Sequence, residues 1–311
     1  MKKAVLLVVL LFGLTACSTK FSYHFLDWAI GWELDDYVSL DKNQQKVVDG
    51  LIDKFVLWHQ SEELGHYVAQ LTEVEQLIQT NTLTPALWAE HVTLAKRHWF
   101  RLFEFALPEM LPIISSLTDE QVKQILTQSR KDEQELIKEF AGKTPEQLQQ
   151  EADENLIEQF DDWLGSVTDE QKTLIHQYNQ QRLSTLDMWL DYRHEWLRQF
   201  EVALGQRSDI PLLTERLTLL MTRPDELKSE KHRAILRQNT EAFGGLLLTI
   251  NASLSAKQSK HFYKKLNKLI QDLRELNQEG IEKWQKPRKI NPEAKVYWAT
   301  PSNLEIAHVP C

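Results

Sequence analysis

Cysteine is nearly absent: Cys17 and Cys311 are the only two in 311 residues. No disulfide framework can hold this fold, so burial of apolar surface must, and a chain this long can bury a large core. Glycine and proline are also scarce, at ten each. No run of alternating β-branched residues is long enough to read as a strand. Basic residues are outnumbered, 36 Lys and Arg against 45 Asp and Glu, for a formal charge of −9. A phosphate-binding face needs the opposite sign, which argues against nucleic acid as a partner. G-x-S-x-G, H-E-x-x-H, the P-loop and G-x-G-x-x-G are all missing. Nothing therefore points to an enzyme or implies a cofactor.

What remains is rich in Leu, Glu, Gln, Lys and Ala. Apolar positions recur at three and four residues, as in Leu156, Phe160, Trp163 and Leu164, the period of a helix face. The expected class is all-α: an elongated bundle of antiparallel helices, since the links between them are short. Breakers and caps predict the elements. One helical run follows Asp41 to about Thr80. Thr84-Pro85 opens a second, ending at Leu107-Pro108, with a short continuation closed by Pro112. Thr118 and Thr144-Pro145 open helices ending near Gly142 and Gly165. Thr168 opens a long one reaching Gly205. Short pieces follow at 209–222 and 224–228, then helices from Ser229 to Ser253 and from Ser255 to about Gly280. The expected helical domain spans 17–280, with two lobes meeting near 206–208, and residues 281–311 read as an irregular tail.

The first residues set the expected compartment. Lys2 and Lys3 precede an apolar stretch too short to span a bilayer, so 1–16 reads as a secretory signal. It ends in Leu14-Thr15-Ala16-Cys17, which resembles the lipobox of bacterial lipoproteins. The resemblance implies cleavage after Ala16, a diacylglycerol thioether on Cys17, and a further N-acyl chain such as palmitate. Multiple acyl chains anchor stably where one does not. Ser18 follows Cys17 where no Asp does, which implies the outer membrane, on its periplasmic side. With Cys17 acylated, Cys311 is left as a free thiol.

One pattern recurs: Leu40 to Gln44, Leu117 to Gln121, Val167 to Gln171 and Leu254 to Gln258, with Thr144 to Gln147 lacking the leading aliphatic. Each joins Ser, Thr or Asp to a Gln three residues on. This is the capping box, in which cap oxygen and N3 amide satisfy each other's backbone N–H groups, each cap stabilising by about 0.5–2 kcal/mol. Thr118, Gln121, Thr168, Gln171, Ser255 and Gln258 then serve helix starts. The L-T-x-x-Q form also resembles the paired motif of the Spy/CpxP-type periplasmic chaperones. That likeness implies a binder of unfolded chains, over five residues per copy.

Residues 26–44, LDWAIGWELDDYVSLDKNQ, crowd aromatics and carboxylates just after the lipobox. Three readings stand: Trp28, Trp32 and Tyr37 pack an irregular segment onto the bundle while Asp35, Asp36 and Asp41 orient the next helix; the rings sit at a lipid interface; or the box anchors a protein partner. Together with Trp58-His59 and Glu62-Glu63-Leu64, the box resembles a family of proteobacterial lipoproteins of unknown function. The likeness runs from Cys17 to about 280 and implies class and location. The expected partners are the membrane, through Cys17, and an envelope protein, held through Trp28, Trp32, Asp35, Asp36, Tyr37 and Trp58.

His59, Glu62, Glu63 and His66 stand at i, i+3, i+4 and i+7, so they share one helix face. Glu63-Leu-Gly-His66 is a Glu-x-x-His step, as in di-iron bundles, but no second copy exists, and Asp191 to His194 is a weaker match. The face therefore reads as solvated, or as a local i,i+4 interaction, without metal. His91 and His98, seven apart beside Trp88 and Trp99, read as half-buried amphipathic residues.

Overall fold

A computed structural model describes residues 19–285, and every regular element among them is helical. The all-α expectation holds. In chain order the helices are α1 (Thr19–Tyr23), α2 (Leu26–Asp35), α3 (Lys42–Trp58), α4 (Leu64–Gln79), α5 (Pro85–Ser116) and α6 (Asp119–Phe140). There follow α7 (Pro145–Leu164), α8 (Asp169–Gln181), α9 (Leu186–Gly205), α10 (Ile210–Thr222), α11 (Glu230–Ala252) and α12 (Ala256–Gln285). A π-turn, His59–Glu63, joins α3 to α4, and a 3-10 turn, Pro224–Leu227, precedes α11. The signal segment, Cys17 and residues 286–311 lie outside the described residues.

Caps account for most helix starts. Asp41, Thr118, Thr144 and Thr168 each complete a capping box, and Thr84 caps α5 with Pro85 at its first turn. Gly165 ends α7 at φ +75°, a left-handed conformation that suits glycine.

Four boundaries differ from expectation. The opening segment forms α1 and α2 instead of irregular chain. The helix from Pro85 runs unbroken through Pro108 and Pro112 to Ser116. Each interior proline removes a backbone bond. Leu107 and Leu111 on the same stretch bury into a cluster with Ala203, Leu213, Leu217 and Leu220, which offsets that loss. That cluster also spans residues 206–208, so the core does not divide into lobes there. The run from Thr168 stops at Gln181, because Asn239 of α11 receives the Leu183 N–H (3.1 Å) and donates to the Leu183 carbonyl (2.8 Å). A side chain from a distant helix thus satisfies the backbone the helix would have used. Finally, α12 continues past Gly280 to Gln285.

The long α5 is the central strut, packed by α3, α4, α10 and α11. A second core joins α7, α8 and α11 through Phe160, Leu164, Ile175, Leu246 and Ile250. Gly244 lets α11 approach α5, since a Cβ there would stand 3.0 Å from Pro85 Cα and Trp88 Cδ1. Helix α12 closes the assembly against the π-turn, α4, α7 and α1.

The capping boxes meet in pairs. Gln121 Nε2 donates to Gln44 Oε1 (2.6 Å) and to the Ser39 carbonyl (3.0 Å). Gln258 Nε2 donates to Gln171 Oε1 (2.8 Å) and to the Ser166 carbonyl (2.9 Å). The same joint is thus built twice, α3 with α6 and α8 with α12. In both, the receiving serine stands five residues before the box glutamine. Ser116 and Ser253 hold that position in the partner boxes, each bonding its hydroxyl to the carbonyl three residues earlier.

Candidate functional site

The π-turn carries the most buried ionisable group. Glu63 is 0 % exposed. Its carboxylate accepts from Arg101 Nε at 2.8 Å and lies 2.8 Å from His98 Nδ1. Burial pushes this carboxyl up, but His98 and Arg101 outweigh burial and hold it below the usual carboxylate range. His98 Nε2 meets Gln70 Oε1 at 3.0 Å, and Gln70 Nε2 donates to the His91 carbonyl at 2.7 Å. Both ring nitrogens of His98 therefore face oxygen acceptors. Arg101 also donates to His66 Nε2 at 3.1 Å.

His59 sits deeper. Its Nδ1 lies 2.7 Å from the Tyr23 hydroxyl and its Nε2 3.3 Å from the Tyr67 hydroxyl. Burial lowers its pKa to about 4, so it stays neutral, and burial pushes both tyrosines up. The turn widens here because α12 takes what it releases. Asn277 Nδ2 donates to the Gln60 and Ser61 carbonyls at 2.9 Å each. Gly280 brings the helices together, since a Cβ there would stand 2.7 Å from the Gln60 and Ser61 backbone. π-turns recur at functional sites.

The expectation of a solvated face is thus corrected. His59, Gln60, Ser61 and Glu63 are buried, and only Glu62 and His66 of that set face solvent. His91 and His98 fold against them across α4 and α5. Among the described residues no group of three or more His, Cys, Asp or Glu side chains is placed to hold a metal ion.

This cluster borders a large cavity. Its volume is about 2660 Å³, and Tyr23, His59, Tyr67, Gln70 and His98 line it. Beyond them the wall is largely apolar: Leu102, Phe103, Ile113, Trp196, Phe200 and Leu269 among others. Sites for small ligands measure roughly 300–1,000 Å³. The cavity is more than twice as large.

Residues 36–233 match the model of a family of unknown function, DUF6279, over more than half of the chain. The chain belongs to that family. The DUF6279 segment contains Glu63, His98, Arg101, three of the four paired boxes and most of the cavity wall. Leu26 to Asp35 of the opening box, and α12, fall outside it. No curated protein and no solved structure matches the chain.

The remaining sequence candidates scatter. Trp28 and Trp32 are 66 % and 42 % exposed and stack on each other at 6.2 Å. Asp35 and Asp36 are exposed. Tyr37 instead donates to Asp132 of α6 at 2.6 Å. Trp58 stacks on Phe105 at 4.1 Å, between α3 and α5. Thr118, Thr168 and Ser255 cap helices, and Gln121, Gln171 and Gln258 are buried in the paired joints. Cys17 lies outside the described residues. Sequence reasoning missed Arg101 and Gln70. The available signal was spacing, since His91, His98 and Arg101 stand at i, i+7 and i+10, one face of α5 toward one face of α4.

Proposed function

We propose that this DUF6279 protein is a lipid-anchored envelope factor without enzymatic activity. In this reading Cys17 fixes it to the periplasmic face of the outer membrane, and it acts by holding an apolar ligand in the cavity. The cavity's size and aromatic wall carry the reading. The paired ring nitrogens and carboxylate at its polar border are engaged with one another, which suits a structural role better than proton transfer to a substrate. No helix among the described residues is long and apolar enough to cross a membrane.

Two measurements test this. The Cys17 peptide of the purified protein should carry the mass of its acyl groups, and Cys17→Ser should lose it. The full-length protein should bind an apolar fluorescent probe. Ala106→Phe, which builds into the cavity from its wall, should weaken that binding severalfold. Equal binding by the variant would overturn the cavity as the site.

The same cavity supports a chaperone-like second reading. A client would meet the aromatic wall, because Gln121, Gln171 and Gln258 are consumed in helix joints. Suppression of client aggregation at equimolar ratio, followed by light scattering and lost in Ala106→Phe, would favour it over a dedicated envelope partner.

A further inference from the structure

The cavity has an aromatic mouth. Phe21, Phe25 and Trp28 of α1 and α2 line it, yet all three are exposed. Phe21 and Phe25 meet edge-on at 5.1 Å, and Trp28 stacks on Trp32. The opposite side of this arm is committed to the protein: Tyr23 bonds His59, and Lys20 pairs with Glu275 at 2.9 Å and Glu279 at 3.0 Å. The arm is thus held firmly with its rings outward.

The position of the arm in the chain says what those rings face. Thr19 begins α1 two residues after Cys17. Two extended residues span about 7 Å at most. An acylated Cys17 therefore holds the cavity mouth against the leaflet that takes its chains. Aromatic rings are favoured at that depth. The apolar material most concentrated at the mouth is then lipid hydrocarbon. Hydrocarbon chains also suit the interior, which offers much apolar wall and more volume than a compact metabolite fills.

We propose that the cavity takes the hydrocarbon chains of a membrane glycerophospholipid, entering past Phe21, Phe25 and Trp28. This rests on the proposed anchor at Cys17 and deepens the reading of the cavity as a ligand site. The mouth keeps the head group in water, so no charge is buried.

Bromine on a lipid chain quenches tryptophan on contact, which tests the proposal with the full-length acylated protein. Vesicles are made of phosphatidylethanolamine and phosphatidylglycerol with brominated chains. The variant Trp28→Phe with Trp32→Phe removes the arm's indoles and leaves Trp99, Trp163, Trp189 and Trp196 in the cavity wall. Lipid in the cavity predicts that this variant retains bromine-dependent quenching. Most of it should disappear when Trp99, Trp163, Trp189 and Trp196 are also replaced by Phe. Loss of all quenching in the arm variant would mean that lipid stops at the mouth, and would overturn the proposal. Occupation by the protein's own acyl chains, or by a protein segment, gives that same unquenched result. The unacylated Cys17→Ala chain, titrated with the same vesicles, separates the two readings. Quenching of its wall tryptophans keeps the cavity proposal even if Cys17 proves unmodified. Absence of quenching in both chains overturns the cavity proposal whatever the mass of the Cys17 peptide.

Discussion

Acid should destabilise this protein in part through His59. His59 is buried and neutral, with its pKa lowered from 6.5 to about 4 by burial. An unfolded chain returns it to about 6.5, so between those values the unfolded state binds a proton that the native state refuses. Stability then rises with pH across the window and is lost as pH falls through it. At 1.36 kcal/mol per pH unit, the loss reaches about 3 kcal/mol by pH 4, a large share of a typical domain's stability. His59→Gln removes the titration while keeping a side chain able to bond Tyr23 or Tyr67. Urea unfolding followed by circular dichroism between pH 7 and pH 4 gives the comparison. The variant should start less stable at pH 7, by about 1–2 kcal/mol for imperfect bonds. It should then lose about 3 kcal/mol less than wild type on acidification. Glu63, held low by His98 and Arg101, is common to both chains and cancels in the difference. Parallel pH curves would refute the reasoning, because they would mean that His59 titrates alike folded and unfolded.

Three further outcomes follow from contacts. Gly280→Ala should destabilise by about 1–3 kcal/mol, although alanine favours helix, because its Cβ meets backbone at 2.7 Å; Gly245→Ala, with nothing within 4 Å, should instead stabilise by up to about 1 kcal/mol, and equal melting temperatures would deny the close approach. Gln171→Ala should cost about 2–3 kcal/mol, since it loses a cap and takes one of two acceptors from the buried Gln258 amide, whereas the exposed Gln147→Ala should cost about 0.5–1 kcal/mol; additive effects of Gln171→Ala and Gln258→Ala in a double-mutant cycle would mean that the joint is not a joint. Glu63→Ala leaves His98 and Arg101 facing an empty acceptor and should cost about 3 kcal/mol in urea unfolding, with a near-neutral result excluding the buried pair.

Much of the fold could be read from caps. A capping box is a local object, so Asp41, Thr118, Thr144 and Thr168 marked helix starts without any tertiary knowledge. The break after Gln181 could not be read, because it is made by Asn239, fifty-eight residues away from Gln181 in the chain and on another helix. Pro108 and Pro112 misled for the converse reason: their local penalty is real, but the burial of Leu107 and Leu111 is a tertiary gain. The site was half legible. His59, Glu63, His66, His91 and His98 all drew notice as helix-face residues, but on two separate faces. Only the fold shows that those faces meet, and that a π-turn buries Glu63 while leaving Glu62 outside. The pairing of the boxes had a visible trace in the serines at 39, 116, 166 and 253, each five residues before a box glutamine.

The tie between Lys20 and Glu275 joins positions 255 apart in the chain. During synthesis the arm emerges before its binding place on α12. Until α12 is made and docked, Lys20 lacks the carboxylates of Glu275 and Glu279 that tie the arm down. An incomplete chain would therefore expose the aromatic stretch of Phe21, Phe25 and Trp28 without that tie. Docking of the last described helix onto the first is thus the step that turns a sticky, loosely held stretch into a fixed part of the finished fold.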